Sequence, residues 1–155
     1  MGIHLKVIYN YIKSHISENE DVKDVLQETM LAVWKSINSY DGKSSFKTWC
    51  FGIARRKIAD YYRVAYRNPS IPIEEVEDVF TIEDEKESID NKIIVERAVD
   101  KLKKAEKDIV FLAFNAQLSY FEISQIIGIP IGTIKSKMFS IKEKLKKQLA
   151  NGGGL

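Results

Sequence analysis

The residues of this chain able to do chemistry are charged, hydroxylic and aromatic, and they concentrate in one run, DVKDVLQETMLAVWKSINSYDGKSSFKTWCFGIARRKIADYYR, from Asp21 to Arg63. Asp24 and Glu28 are four residues apart with Gln27 beside them, so on a helix they share a face that can pair with arginines on a partner. Asp41-Gly42-Lys43-Ser44-Ser45 reads as a turn. Phe46 and Trp49 follow as rings three residues apart, and Arg55, Arg56, Lys57 and Arg63 make the next stretch cationic. A second cationic group, Lys135, Lys137, Lys142, Lys144, Lys146 and Lys147, lies near the C-terminus. These types serve recognition: carboxylates for a basic partner, rings for stacking on bases, cations for phosphates. Bond-making chemistry finds no support. His4 and His15 have no acid or nucleophile pattern nearby, and the sequence has no metal-ligand cluster and no phosphate-binding glycine loop. The chain reads as a non-enzyme with no metal or cofactor, and His15 as a helix-surface or helix-end residue.

Charge is segregated. The total is only +2 over 155 residues, but residues 1–73 carry 11 Lys/Arg against 7 Asp/Glu, residues 74–90 carry 1 against 9, and residues 91–155 carry 12 against 6. Two basic blocks flank an acidic bridge, which points to nucleic-acid contact at both ends. A single cysteine, Cys50, excludes an internal disulfide and fits a reducing cytoplasm. Lying among Trp49, Phe51 and Ile53, it reads as a small buried hydrophobe rather than a redox sensor. There is no signal-peptide pattern and no stretch of transmembrane length.

The elements that position these residues are helices. Ile3, Val7, Ile8, Tyr11, Ile12 and His15 share one face at helical spacing; Val22, Val25, Leu26, Met30, Val33, Trp34 and Ile37 form a second stripe, and Phe46, Trp49, Ile53, Ile58 and Tyr61 a third. Ser17 with Glu20 has capping-box spacing at the start of the second helix. Asn68-Pro69 and Pro72 end the third helix. Residues 67–90, with two prolines and the acidic run, read as a disordered or extended linker, in which Ile73, Val76, Val79 and Ile82 leave room for a transient helix. Beyond it, Ile94, Val95, Ala98, Val99 and Leu102 give one helix, and Ile109, Val110, Leu112, Ala113 and Ala116 another. Ser119–Glu122 is a capping box opening the short helix 120–127; Gly128 stands where a positive φ is wanted, and Pro130 precedes a final helix over 131–149. Helix, glycine turn, helix is the signature of a helix-turn-helix. There the second helix enters the major groove with its first turns, which makes Thr133, Lys135, Ser136, Lys137 and Ser140 the candidate base and phosphate contacts, above a core stripe of Ile134, Met138, Ile141 and Leu145. The fold class is therefore all-α: a three-helix domain over 1–66, an acidic linker over 67–90, a helix-turn-helix domain over 91–150 and a flexible tail over 151–155.

Over residues 3–66 and 91–149 the chain resembles the extracytoplasmic-function (ECF) group of bacterial RNA polymerase sigma factors, within the sigma-70 superfamily. LSYFEISQIIGIPIGTIKSKM is similar to the group's C-terminal DNA-binding region, with Gly128, Pro130, Gly132, Thr133, Lys135 and Ser136 matching outright. Lys137 stands where the group usually has arginine, Ser140 where a second arginine is common, and Phe139 where histidine is frequent. These departures remove planar guanine readers, so they bear on which bases of the minus-thirty-five element are read. Lys103 and Lys107 replace the group's usual proline and arginine.

The resemblance implies roles for the first run. DVLQETMLAVW, with Asp24, Gln27, Glu28 and Trp34, would dock on the clamp coiled coil of core RNA polymerase. The loop from Asp41 through Gly42, Lys43 and Ser44 to Ser45 would take a flipped minus-ten base of the unpaired non-template strand, beside the melting motif Phe46, Lys47, Thr48 and Trp49. Of these rings, Trp49 is assigned to the scaffold. IARRKIADYYR is similar to the minus-ten-reading segment: Arg55, Arg56, Lys57 and Arg63 would hold the DNA backbone, with Asp60 and Tyr61 at reading positions. Arg56 and Asp60 are also spaced to pair with each other. The linker would thread through the polymerase near its active site. Members usually have a helix turn or more before the position of Ile3, so the first helix is expected to be shortened here. The implied partners are core RNA polymerase, promoter DNA as duplex and as unpaired strand, and an anti-sigma factor that could hold this cytoplasmic protein at the membrane. Two other classes explain less. A stand-alone regulator of duplex DNA uses 91–149 but leaves Asp24–Arg63 without a task, and an enzyme with a DNA-binding tail lacks its catalytic residues.

Overall fold

The computed structural model describes residues 2–67 and 91–150, with side chains for 5–66 and 94–150. All regular structure among them is helical. The chain divides into two compact units between Thr81 and Ile82. The acidic linker and the terminal tail lie outside the described residues.

The first unit is a three-helix domain: α1 (Gly2–His15), α2 (Asn19–Ser36), which tightens into a 3₁₀ turn at Ile37–Ser39, and α3 (Phe46–Arg67). Each helix packs on the other two. Ile8, Tyr11, Ile12 and Ile16 meet Val22 and Val25 of α2 and Cys50, Phe51, Ile53, Ala54 and Ile58 of α3 in the core. Burial of this apolar surface is the main stabilising term. Tyr11 is fully buried, with Phe51 edge-on at 5.2 Å and His15 at 4.7 Å, and its hydroxyl accepts a 3.2 Å hydrogen bond from Arg55. His15, at the end of α1, offers its carbonyl to the Tyr62 hydroxyl. Thr29 occupies a core position of α2, its hydroxyl donating to the Val25 carbonyl at 2.7 Å, so no buried polar group is left unpaired there.

Two sequence expectations fail here. Ser17 does not cap α2; the cap position is Glu18, without a side-chain bond. Ile16 carries the α1 hydrogen bonding on to the Ile12 carbonyl and is buried with Val22, and these two anchors set the start of α2 one residue later than a Ser17 cap requires. Nor do Trp34 and Ile37 belong to the core stripe. Trp34 lies about 120° round the helix from Val22 at about 100° per residue and is 76% exposed.

The second unit contains α4 (Asn91–Asp100), α5 (Lys104–Val110), a π turn (Phe111–Asn115), α6 (Tyr120–Ile127) and α7 (Ile131–Gln148). Val95, expected on the core stripe of α4, is exposed; Ala98 and Leu102 are the buried members. The helix expected through Ala116 widens at Phe111. The Ala116 amide reaches back five residues to the Phe111 carbonyl, the Leu118 amide six to Leu112, and Gln117 takes φ +59°. The wider turn lets Leu112, Ala116 and Leu118 all enter the core, which an unbroken 3.6-residue repeat does not permit. Glu106 ties the start of α5 to α7: one carboxylate oxygen accepts from Lys144 at 2.6 Å, the other from the Lys103 amide at 3.0 Å.

Two outcomes follow. Burial raises the Cys50 thiol to about 11, so at pH 8 almost none of it is thiolate. Native protein is expected to resist iodoacetamide and to react fully only in denaturant, as mass spectrometry would show. The hydrogen bond from Lys144 holds Glu106 below the ordinary glutamate range. A depressed carboxylate stabilises the fold above its unfolded pKa of about 4.3 and loses that contribution as pH falls through the lower folded value. Glu106→Gln should lower the melting temperature near neutrality and flatten its decline below about pH 4.5.

Candidate polymerase and nucleic-acid interfaces

Asp24, Gln27 and Glu28 all lie exposed on the outer face of α2. Among the described residues no ion pair engages either acid. One and two turns further on, the same side carries Leu31, 54% exposed, and Trp34. The helix thus presents an acidic half followed by an apolar half, both exposed among the described residues. Leu31 is absent from the sequence-based set; its signal is its spacing, three residues from Glu28 and seven from Asp24.

The loop after α2 is fixed by its own short bonds. Asp41 Oδ1 accepts the Lys43 amide at 3.0 Å, Gly42 takes φ +78°, and the Tyr40 hydroxyl donates to the Ser44 carbonyl at 2.5 Å. Ser45 caps α3, its hydroxyl accepting the Thr48 amide at 3.1 Å. Thr48 is buried, whereas Phe46, Lys47 and Trp49 are half-buried. Phe46 and Trp49 join Tyr40 in a three-ring cluster, with centroids 5.0 to 5.6 Å apart. Tyr40 was not singled out by sequence, although it directly precedes the Asp-Gly pair.

Along α3 the cationic set splits. Arg55 turns inward to Tyr11, and Tyr61 donates to Asp21 Oδ2 at 2.6 Å, so both tie helices together. Burial first, and then that hydrogen bond, push the Tyr61 phenol far above its usual range. Arg56 and Arg63 are exposed together on one flank of the helix, and Lys57 is half-buried. Asp60 pairs with Arg63 at 2.8 Å rather than with Arg56 as expected. Arg56 is thereby left without a carboxylate partner among the described residues.

The helix-turn-helix follows its sequence signals closely. Ser119 accepts the Glu122 amide at 3.1 Å, and Glu122 accepts the Ser119 amide at 2.9 Å. Gly128 has φ +89°, a conformation costly for any residue with a Cβ. The Ser124 hydroxyl donates to the Ile129 carbonyl, closing the turn. Ile134, Met138 and Ile141 seat α7 against Ile123, all fully buried. At about 100° per residue, Gly132, Ser136, Phe139 and Ser140 point away from that core, while Lys135 and Lys137 stand on opposite flanks of the helix. Thr133 is half-buried; Lys135, Ser136, Lys137 and Ser140 are exposed. This arrangement places Gly132, two serines and one exposed ring between two cations towards the leading end of a helix, a surface of the kind that enters a major groove.

Such a pair of helical domains is shared with known proteins. Residues 2–68 match the family described as sigma-70 region 2, and residues 92–145 match sigma-70 region 4. The ECF RNA polymerase sigma-E factor of Haemophilus influenzae is 31% identical over 87% of this chain and 77% of its own length. The ECF sigma factor SigW of Bacillus subtilis is 27% identical over 96% of this chain and 86% of its own. In fold, the chain is similar to the sigma factor RpoE of Bartonella quintana, solved with the anti-sigma factor NepR (TM-score 0.72, 22% identity, 96% of this chain and 92% of that one). It is also similar to CnrH, solved with the cytosolic domain of CnrY (TM-score 0.65, 22% identity, 97% and 85%). The chain belongs to the ECF sigma factors of RNA polymerase. It is thus a transcription initiation factor that directs core polymerase to promoters, and not itself an enzyme. No helix among the described residues is long and apolar enough to cross a membrane.

Gly132 provides a test of how close α7 approaches DNA. A Cβ added there meets nothing within 4 Å, so the fold itself does not demand glycine. Gly132→Ala should leave thermal stability unchanged or raise it by up to about 1 kcal/mol, while weakening duplex binding measured by fluorescence anisotropy.

Proposed function

We propose that the two units divide the work of initiation, the first over residues 1–66 and the second over 91–150, with 67–90 as linker and 151–155 as tail. The exposed face of Asp24, Gln27, Glu28, Leu31 and Trp34 docks on a basic and apolar surface of core polymerase. The capped loop from Asp41 to Ser45, beside the rings of Tyr40, Phe46 and Trp49, holds one unpaired minus-ten base of the non-template strand. Arg56 and Arg63 hold the neighbouring backbone, while Arg55 and Tyr61 serve the domain's own packing. Thr133, Lys135, Ser136, Lys137 and Ser140 engage the minus-thirty-five duplex. Phosphate contacts supply affinity and the loop and α7 supply sequence choice.

The observation that carries this reading is the α2 face, on which two exposed carboxylates and a large exposed indole have no ion-pair or ring partner among the described residues. The solved complexes of RpoE with NepR and of CnrH with CnrY support control by an anti-sigma factor, which would cover such a face. The cytoplasm is the compartment this role requires.

Asp24→Arg and Trp34→Ala are expected to reduce binding to core polymerase by at least tenfold, since interface aromatics and paired charges are often worth 2 kcal/mol or more (~2). Melting temperature should stay unchanged, because both positions are exposed. In permanganate footprinting, wild-type holoenzyme should open the minus-ten region and both variants should not. Unaltered core binding by both variants would refute the assignment of this face.

A further inference from the structure

Phe139 has no role in the folding of its domain. It is 68% exposed, on the side of α7 opposite the buried Ile134, Met138 and Ile141. Its helix-surface neighbours one turn away are Lys135, Ser136, Lys142 and Glu143, and they leave the ring exposed. The ring therefore stands proud between two flanking cations, Lys135 and Lys137, that match the charge of a DNA groove. Aqueous exposure of so large an apolar group is unfavourable, and a major groove offers it one apolar feature, the 5-methyl group of thymine. We infer that Phe139 is a specificity-determining residue that reads a thymine methyl in the upstream promoter element. This rests on the assignment of α7 to duplex DNA. The hydroxyls of Ser136 and Ser140 accept or donate to either kind of base and discriminate little. Lys135 and Lys137 go to phosphates. The ring is then the side chain on this surface with a one-base preference.

The test uses full-length protein assembled with core polymerase. Selection from a library randomised upstream of a fixed minus-ten element gives the preferred duplex. Each thymine in it is then replaced in turn by deoxyuridine, which removes only the methyl group. One replacement is expected to weaken wild-type holoenzyme binding by about fourfold, the worth of one buried methyl-sized group. Phe139→Ala should bind thymine and uracil duplexes equally, at the weaker level, with an unchanged melting temperature. Thymine–uracil discrimination that persists in Phe139→Ala overturns the inference, as does its absence from the wild type. So does loss of core binding or of self-association in Phe139→Ala without any change in thymine sensitivity, because the ring would then serve a protein contact. If the selection enriches no upstream sequence at all, the assignment of α7 to duplex reading itself fails.

Discussion

Tyr11 is buried completely in the first domain, yet its hydroxyl needs a partner, and Arg55 provides it. That hydrogen bond and the edge-on contact with Phe51 fix the rotation of α3 about its own axis. With Arg55 turned towards α1, Arg56 and Arg63 share one flank of the helix, about 100° and 80° round from it at the helical repeat, and both are exposed. The same rotation brings Tyr61 to Asp21 at the start of α2. The helices α2 and α3 are thereby locked in one relative phase. A buried polar group unable to go unpaired thus organises surfaces that are themselves far from the core.

The second domain obtains its geometry differently. Its orienting devices are local: a reciprocal serine–glutamate cap, a left-handed glycine, a serine hydroxyl closing the turn. Each involves residues within five positions of one another. The Glu106–Lys144 pair at 2.6 Å and the Lys101–Gln148 pair at 3.2 Å span the domain, and both hold the far half of α7.

This contrast explains what was legible in the sequence. The helix-turn-helix was readable nearly residue by residue, since capping and turn chemistry are written in short spacings. The three-helix domain was readable as stripes, but the roles of individual residues were not. Arg55 and Tyr61 look like members of one cationic, aromatic surface until partners 44 and 40 residues away claim them. Trp34 reads as core by type, and only the position of α1 and α3 around α2 leaves it outside. The π turn at Phe111 was hidden for a related reason. The apolar residues are all present, and the sixth-residue register follows from which of them the core accepts. Ser17 and Arg56 were misread because a correct spacing is necessary for a pair but does not choose among competing partners.

The pairing of Lys144 with Glu106 has a further thermodynamic consequence. The last helix carries six lysines, but Lys144 is held by Glu106 at 2.6 Å and Lys146 stands 3.6 Å from Glu143. Four remain without a carboxylate among the described residues. Cations already neutralised within the protein displace few counterions when they meet a duplex. Those four therefore set the upper limit on how steeply this helix can lose DNA as salt rises, at about 0.9 per phosphate neutralised, below the limit that six lysines would give.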